Sequence, residues 1–211
     1  MKSFRAAVFA CALIFLVSGI SSASLLEVDF YASNDKLLTH DTDTGLYWLD
    51  LTVTVNLSYD SVLSQLNPGG SLEGFRYATV EDVDNLQLSA GLPSGLFYET
   101  FFLYKNNLNA LIDKVGQTDP STDARATFGI TGDPFDPTNT IDDRIMRYFS
   151  ITSAAGAYQG VIADDSASPQ VGSWLVCNTI PPIPDPVPEP ATMLLLSAGL
   201  LGLAGVRAKR R

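Results

Sequence analysis

Apolar and polar positions alternate first near residue 26. Leu26, Val28 and Phe30 interleave with Glu27, Asp29 and Tyr31, the two-residue period of a strand with one buried face. A second strand is expected after Thr44-Gly45, with Leu49, Leu51, Val53 and Val55 on one face. The period then lengthens. Tyr59, Val62, Leu63 and Leu66 follow helical spacing behind Ser58, a good N-cap, and Asn67-Pro68-Gly69-Gly70 ends that helix. Thr79 and Asp82 form a capping-box start for a second helix carrying Val80, Val83 and Leu86. A third helix is expected from Phe101 to Val115, with a stripe of Phe101, Tyr104, Leu108, Leu111, Ile112 and Val115. Short strands follow at Arg144–Ile151, Tyr158–Ala163 and Ser173–Cys177. Loops rich in Asp, Pro and Thr run over Gln117–Arg125 and Gly132–Asp143. The order predicts one α+β domain with two or three helices and a mainly antiparallel sheet.

Two apolar ends flank that domain. Residues 1–23 read as a signal peptide: Lys2 and Arg5 precede the apolar run Ala6–Val17, and Ser21-Ser22-Ala23 places small residues before a cleavage site between Ala23 and Ser24. The run is short for a spanning helix, which disfavours an uncleaved anchor. The globular part is expected over 24–178, followed by a proline-rich linker at 179–187 that holds an extended spacer. Residues 188–211 contain a second apolar run, Ala191–Val206, about 24 Å long as a helix. Arg207, Lys209, Arg210 and Arg211 close it as a basic stop-transfer cluster, which stays cytoplasmic by the positive-inside rule.

Charge narrows the partners. Residues 24–187 hold seven Lys or Arg against 22 Asp or Glu, a net of about −15. With no basic stripe or patch, nucleic acid is excluded as a partner. Of the two cysteines, Cys11 leaves with the signal peptide, so Cys177 has no internal disulfide partner and is expected to be a small buried residue.

Catalytic chemistry finds little footing. His40 is the single histidine and, beside Asp41, is read as a turn residue. It does not build a Ser-His-Asp or Cys-His constellation, and no enzymatic activity is expected. The alternative is a secreted carboxylate-dependent hydrolase of extracellular polymer, which needs two carboxyls across a sugar cleft. No cofactor is required. Calcium is the candidate metal because hard oxygen ligands cluster twice: Asp41 and Asp43 before Gly45, and Asp133, Asp136, Asp142 and Asp143 in a Thr- and Asn-rich loop. Neither stretch completes an EF-hand, and an Asx-turn and a solvated loop are the competing assignments. Trp48 and Trp174 are candidate sugar platforms, although in strands packing is the expected role.

The tail carries the most specific pattern. Val187-Pro188-Glu189-Pro190, a short apolar helix and an Arg-rich end resemble the PEP-CTERM sorting signal. The resemblance implies recognition by an exosortase, a Gram-negative host that makes exopolysaccharide, and removal of the tail near the motif. Export by the Sec translocon and signal peptidase, a transient stay in the inner membrane, and delivery to the envelope or extracellular matrix (the setting of a biofilm) follow from it. A non-catalytic structural or polysaccharide-binding role is the expected function. Leu38–Leu86 also resembles a recurrent ectodomain of PEP-CTERM proteins, through Thr44-Gly45-Leu46-Tyr47-Trp48 and Gly74-Phe75-Arg76-Tyr77-Ala78-Thr79, with Gly172-Ser173-Trp174 fitting at the close. More distantly it is similar to bacterial surface domains with a C-type-lectin-like fold. It departs from them where Tyr77-Ala78-Thr79 stands in place of Leu-Pro-Thr, and in lacking paired cysteines.

Overall fold

The computed structural model describes residues 24–100, 102–119, 125–135, 143–152 and 154–181. The chain divides into residues 1–181 and 182–211, and all described residues belong to the first unit. The expected signal peptide and the apolar tail lie outside them. No helix among the described residues is long and apolar enough to cross a membrane.

The architecture is α+β, with two five-stranded sheets where the sequence suggested one. The first sheet has the order β1 (Leu25–Val28), β2 (Leu38–Asp41), β3 (Leu46–Leu49), β10 (Leu175–Cys177), β4 (Arg76–Tyr77), antiparallel throughout. The second has the order β5 (Phe97–Glu99), β8 (Ala155–Ala163), β7 (Asp143–Ile151), β6 (Arg125–Pro134), β9 (Val171–Ser173), with only the β6–β9 pair parallel.

Local chemistry sets the helices. Ser58 Oγ accepts from Ser61 N at 3.2 Å and starts α1 (Tyr59–Gln65). The Thr79–Asp82 capping box starts α2 (Val80–Ser89): Asp82 N reaches Thr79 Oγ1 at 3.1 Å, and Thr79 N reaches Asp82 Oδ2 at 2.8 Å. The third helix, α3, spans Lys105–Val115 and buries Leu108, Leu111, Ile112 and Val115, as its stripe predicts. It begins later than Phe101 because Phe102 takes a φ of +57°, in the left-handed region that a continuous helix excludes.

Three strand expectations are corrected. β3 stops at Leu49, because Asp50 turns the chain into a 3-10 helix over Leu51–Thr54: its Oδ1 accepts from Thr52 N at 2.8 Å and from Thr52 Oγ1 at 2.5 Å. A short polar side chain competing for the backbone ends the alternation. At β1, Leu26 is exposed and its neighbour Leu25 is buried in its place, whereas Val28 and Phe30 pack inward as the alternation predicts. The expected strand Ser173–Cys177 is two strands in two sheets, divided at Trp174. There the main chain changes partners: Trp174 N donates to Ile130 O at 2.9 Å, and Trp174 O accepts from Ala78 N at 2.8 Å. The fully buried indole adds a bond from Nε1 to Arg147 O at 3.1 Å.

The core forms two clusters. One gathers Trp48, Leu51, Leu86, Leu111, Phe149 and Trp174, with α2 and α3 packed against the second sheet. The other gathers Phe30, Leu38, Tyr59, Phe75, Ile130 and Cys177.

Candidate functional site

The residues singled out from sequence do not converge. His40 is in β2 and not in a turn; its ring stacks on Tyr47, its cross-strand partner, at 4.3 Å with planes 8° apart. Cys177 is buried in β10, and burial pushes its thiol up to about 11. Trp48 and Trp174 are core residues in edge-to-face contact at 5.9 Å, so neither offers a platform to a sugar.

The calcium candidates are scattered. Asp41 is fully buried, with Oδ1 accepting from Asp43 N at 3.0 Å and Oδ2 from Ser89 Oγ at 2.9 Å, an Asx-turn tied to α2. Asp43 is exposed. Asp133 accepts from Val80 N at 2.5 Å, where it faces the positive end of α2. Asp143 opens β7. Asp136 and Asp142 lie outside the described residues. Among the described residues no three His, Cys, Asp or Glu side chains converge on a metal-sized site.

An aromatic ridge on the second sheet is not apparent from the sequence alone. Phe128, Tyr148 and Tyr158 stand directly opposite one another on β6, β7 and β8. Strand spacing of about 4.8 Å brings such rings into contact. The Phe128 and Tyr148 centroids lie 4.9 Å apart with planes at 25°, and Tyr148 and Tyr158 lie 5.1 Å apart at 16°. Tyr98 on β5 meets Tyr158 edge-on at 6.4 Å and is 66% exposed. Gly156 makes room: a Cβ there would lie 2.8 Å from Tyr158 Oη. Beside the ridge runs a shallow groove of about 370 Å³ lined by Leu96, Phe97, Tyr98, Tyr148, Ala157, Tyr158 and Gln159. Every lining residue is uncharged, on a chain of strongly acidic balance. Burial, then the neighbouring Tyr98 and Tyr148, raises the Tyr158 phenol, which therefore stays neutral and able to donate a hydrogen bond. The lining offers apolar ring surface together with the phenol groups of Tyr98, Tyr148 and Tyr158, a combination suited to an uncharged polar ligand.

Ser24 is the described member of the expected cleavage pair; Ala23 lies outside. Also outside are the sorting residues Val187, Pro188, Glu189 and Pro190 and the basic Arg207, Lys209, Arg210 and Arg211. Their identity comes from comparison with known proteins. No curated protein and no solved structure matches the chain, and the C-type-lectin-like expectation gains no support. Residues 186–211 match the PEP-CTERM protein-sorting motif. The chain thus carries the C-terminal exosortase sorting signal, which makes it an exported, exosortase-processed surface protein.

Proposed function

We propose that the exported domain is a non-catalytic binding component of the cell envelope or extracellular matrix, and that it holds an uncharged exopolysaccharide along the Tyr98–Tyr148–Tyr158 ridge. The carrying observation is that ridge, an uncharged aromatic surface on a sorted protein whose exported part is acidic. The charge repels anionic polymers, whereas a neutral sugar brings apolar C–H faces to the rings and hydroxyls to the phenols. In this reading the Sec translocon and signal peptidase deliver the chain to the inner membrane of a Gram-negative cell. The tail holds it there, C-terminus inside, until an exosortase removes the tail.

The test is binding of the purified exported protein to neutral and anionic polysaccharides by calorimetry. Tyr148→Ala and Tyr158→Ala are each expected to weaken binding to the neutral polymer about 2- to 13-fold, from about 0.5–1.5 kcal/mol per aromatic contact. Unchanged affinity in both variants, with circular dichroism intact, rejects the ridge. Release of shorter oligosaccharides by the wild type would favour the hydrolase.

A further inference from the structure

Ser24 is held as firmly as a core residue. It is 5% exposed, its Oγ donates to Ser89 O at 2.5 Å, and its carbonyl accepts from both Thr42 N at 2.8 Å and Thr42 Oγ1 at 3.0 Å. Leu25 follows it directly into the core.

Ser89 is the last residue of α2, where carbonyls lack helical partners and the dipole is negative. A cation is favoured at such an end, yet the last turn of α2 has no basic residue. The same Ser89 donates its hydroxyl to Asp41 Oδ2. Asp41 is fully buried, and its recorded donors are neutral: Ser89 Oγ and the amides of Asp43 and Thr44. No ion pair reaches it among the described residues. Lys114 of α3 lines the cleft of about 250 Å³ beside Ser24 without pairing with Asp41. The flanking titratable groups on the first sheet and its turn are His40 and Asp43. A buried carboxylate without a cation is an unfavourable arrangement.

We infer that signal-peptide removal supplies the missing charge: the α-ammonium of Ser24 becomes the counter-ion of Asp41 and the cationic cap of α2. The inference rests on the reading of residues 1–23 as a cleaved signal peptide. Hydrolysis of the Ala23–Ser24 bond consumes one water, leaves a carboxylate on Ala23 and turns the Ser24 amide nitrogen into an ammonium. The precursor domain then holds an uncompensated Asp41 and is less stable than the mature one. Maturation completes the fold after translocation, when the chain no longer has to be threaded unfolded.

The experiment uses the protein as exported by its host, with its amino terminus read by intact mass. A variant with Gly-Ser inserted between Ala23 and Ser24 is exported alongside it and moves the ammonium two residues away. Urea unfolding is expected to show the folding equilibrium constant about tenfold or more lower in the extended protein. In an Asp41→Asn background the extension is expected to have a smaller effect, because only the helix cap is then lost. Periodate, which oxidises an N-terminal serine through its adjacent amine and hydroxyl, gives an independent readout that needs no variant. Oxidation of native wild type is expected to be at least tenfold slower than that of the urea-unfolded protein. Equal stability with and without the extension, or rapid native oxidation, overturns the inference and leaves the export reading intact. A native amino terminus other than Ser24 overturns both.

Discussion

Arg147 and Asp84 make opposite demands on the core, and replacing each in turn separates them. Arg147, in β7, has a side chain only 5% exposed; its Nη2 donates to Asp84 Oδ1 at 2.5 Å across to α2. Among the described residues, its Nε and Nη1 have no hydrogen-bond partner. The Asp84 side chain is 24% exposed and keeps access to water. Asp84→Ala leaves a buried guanidinium with no anion. Such breaks cost about 3–5 kcal/mol, and the partial exposure of Asp84 puts this one near 3. Arg147→Met keeps the stem volume, removes the charge together with its unpaired donors, and leaves Asp84 able to turn to solvent. It is expected to cost under about 1 kcal/mol. The gap of about 2 kcal/mol corresponds to roughly 4–8 °C in Tm for a domain of this size. Equilibrium urea unfolding, followed by the fluorescence of buried Trp48 and Trp174, measures both variants. If Arg147→Met proves as destabilising as Asp84→Ala, the reasoning fails, because the arginine would then be a net source of stability and not a tolerated burial.

Two further outcomes follow from protonation. Burial acts to raise the Asp82 carboxyl, but Arg76 at 2.7 Å and the bonds from Thr79 together hold it below the usual 3.8. Its stabilising effect is therefore present above that value and lost as pH falls through the depressed one. The stability gap between wild type and Asp82→Asn should be constant above about pH 5 and shrink in acid; a gap independent of pH would contradict the assignment. Cys177, buried and with its thiol raised to about 11, is expected to react with a thiol reagent at pH 8 at least a hundredfold more slowly in the native protein than in urea. Comparable rates would place it at the surface.

Features decided by neighbours in the chain were legible in the sequence. The Ser58 cap, the Thr79–Asp82 box and the Leu108–Val115 stripe all lie within one or a few helical turns. The sorting tail was legible for the same reason, since motif, apolar run and basic end are linear. What depended on distant partners was not. β6 carries a short strand signal, Ala126, Phe128 and Ile130 alternating with Thr127, Gly129 and Thr131 between two polar loops, too brief to stand alone. Its place comes from pairing with both β7 and β9. The split at Trp174 needs Ile130 and Ala78 to draw its amide and carbonyl apart. The ridge joins residues from four strands, and only the register that sets Phe128, Tyr148 and Tyr158 side by side reveals it. The one sequence hint is Gly156, two residues before Tyr158, which leaves space for its ring. Trp48 and Trp174 take the expected packing role, fully buried in the core.

The central claim is exosortase-dependent sorting, and the most direct test is intact mass and cell fractionation of the native protein in hosts with and without an exosortase. The account predicts a product beginning at Ser24 and ending near Pro188, released or envelope-bound only when the exosortase is present. A full C-terminus retained in the inner membrane of both strains would contradict it.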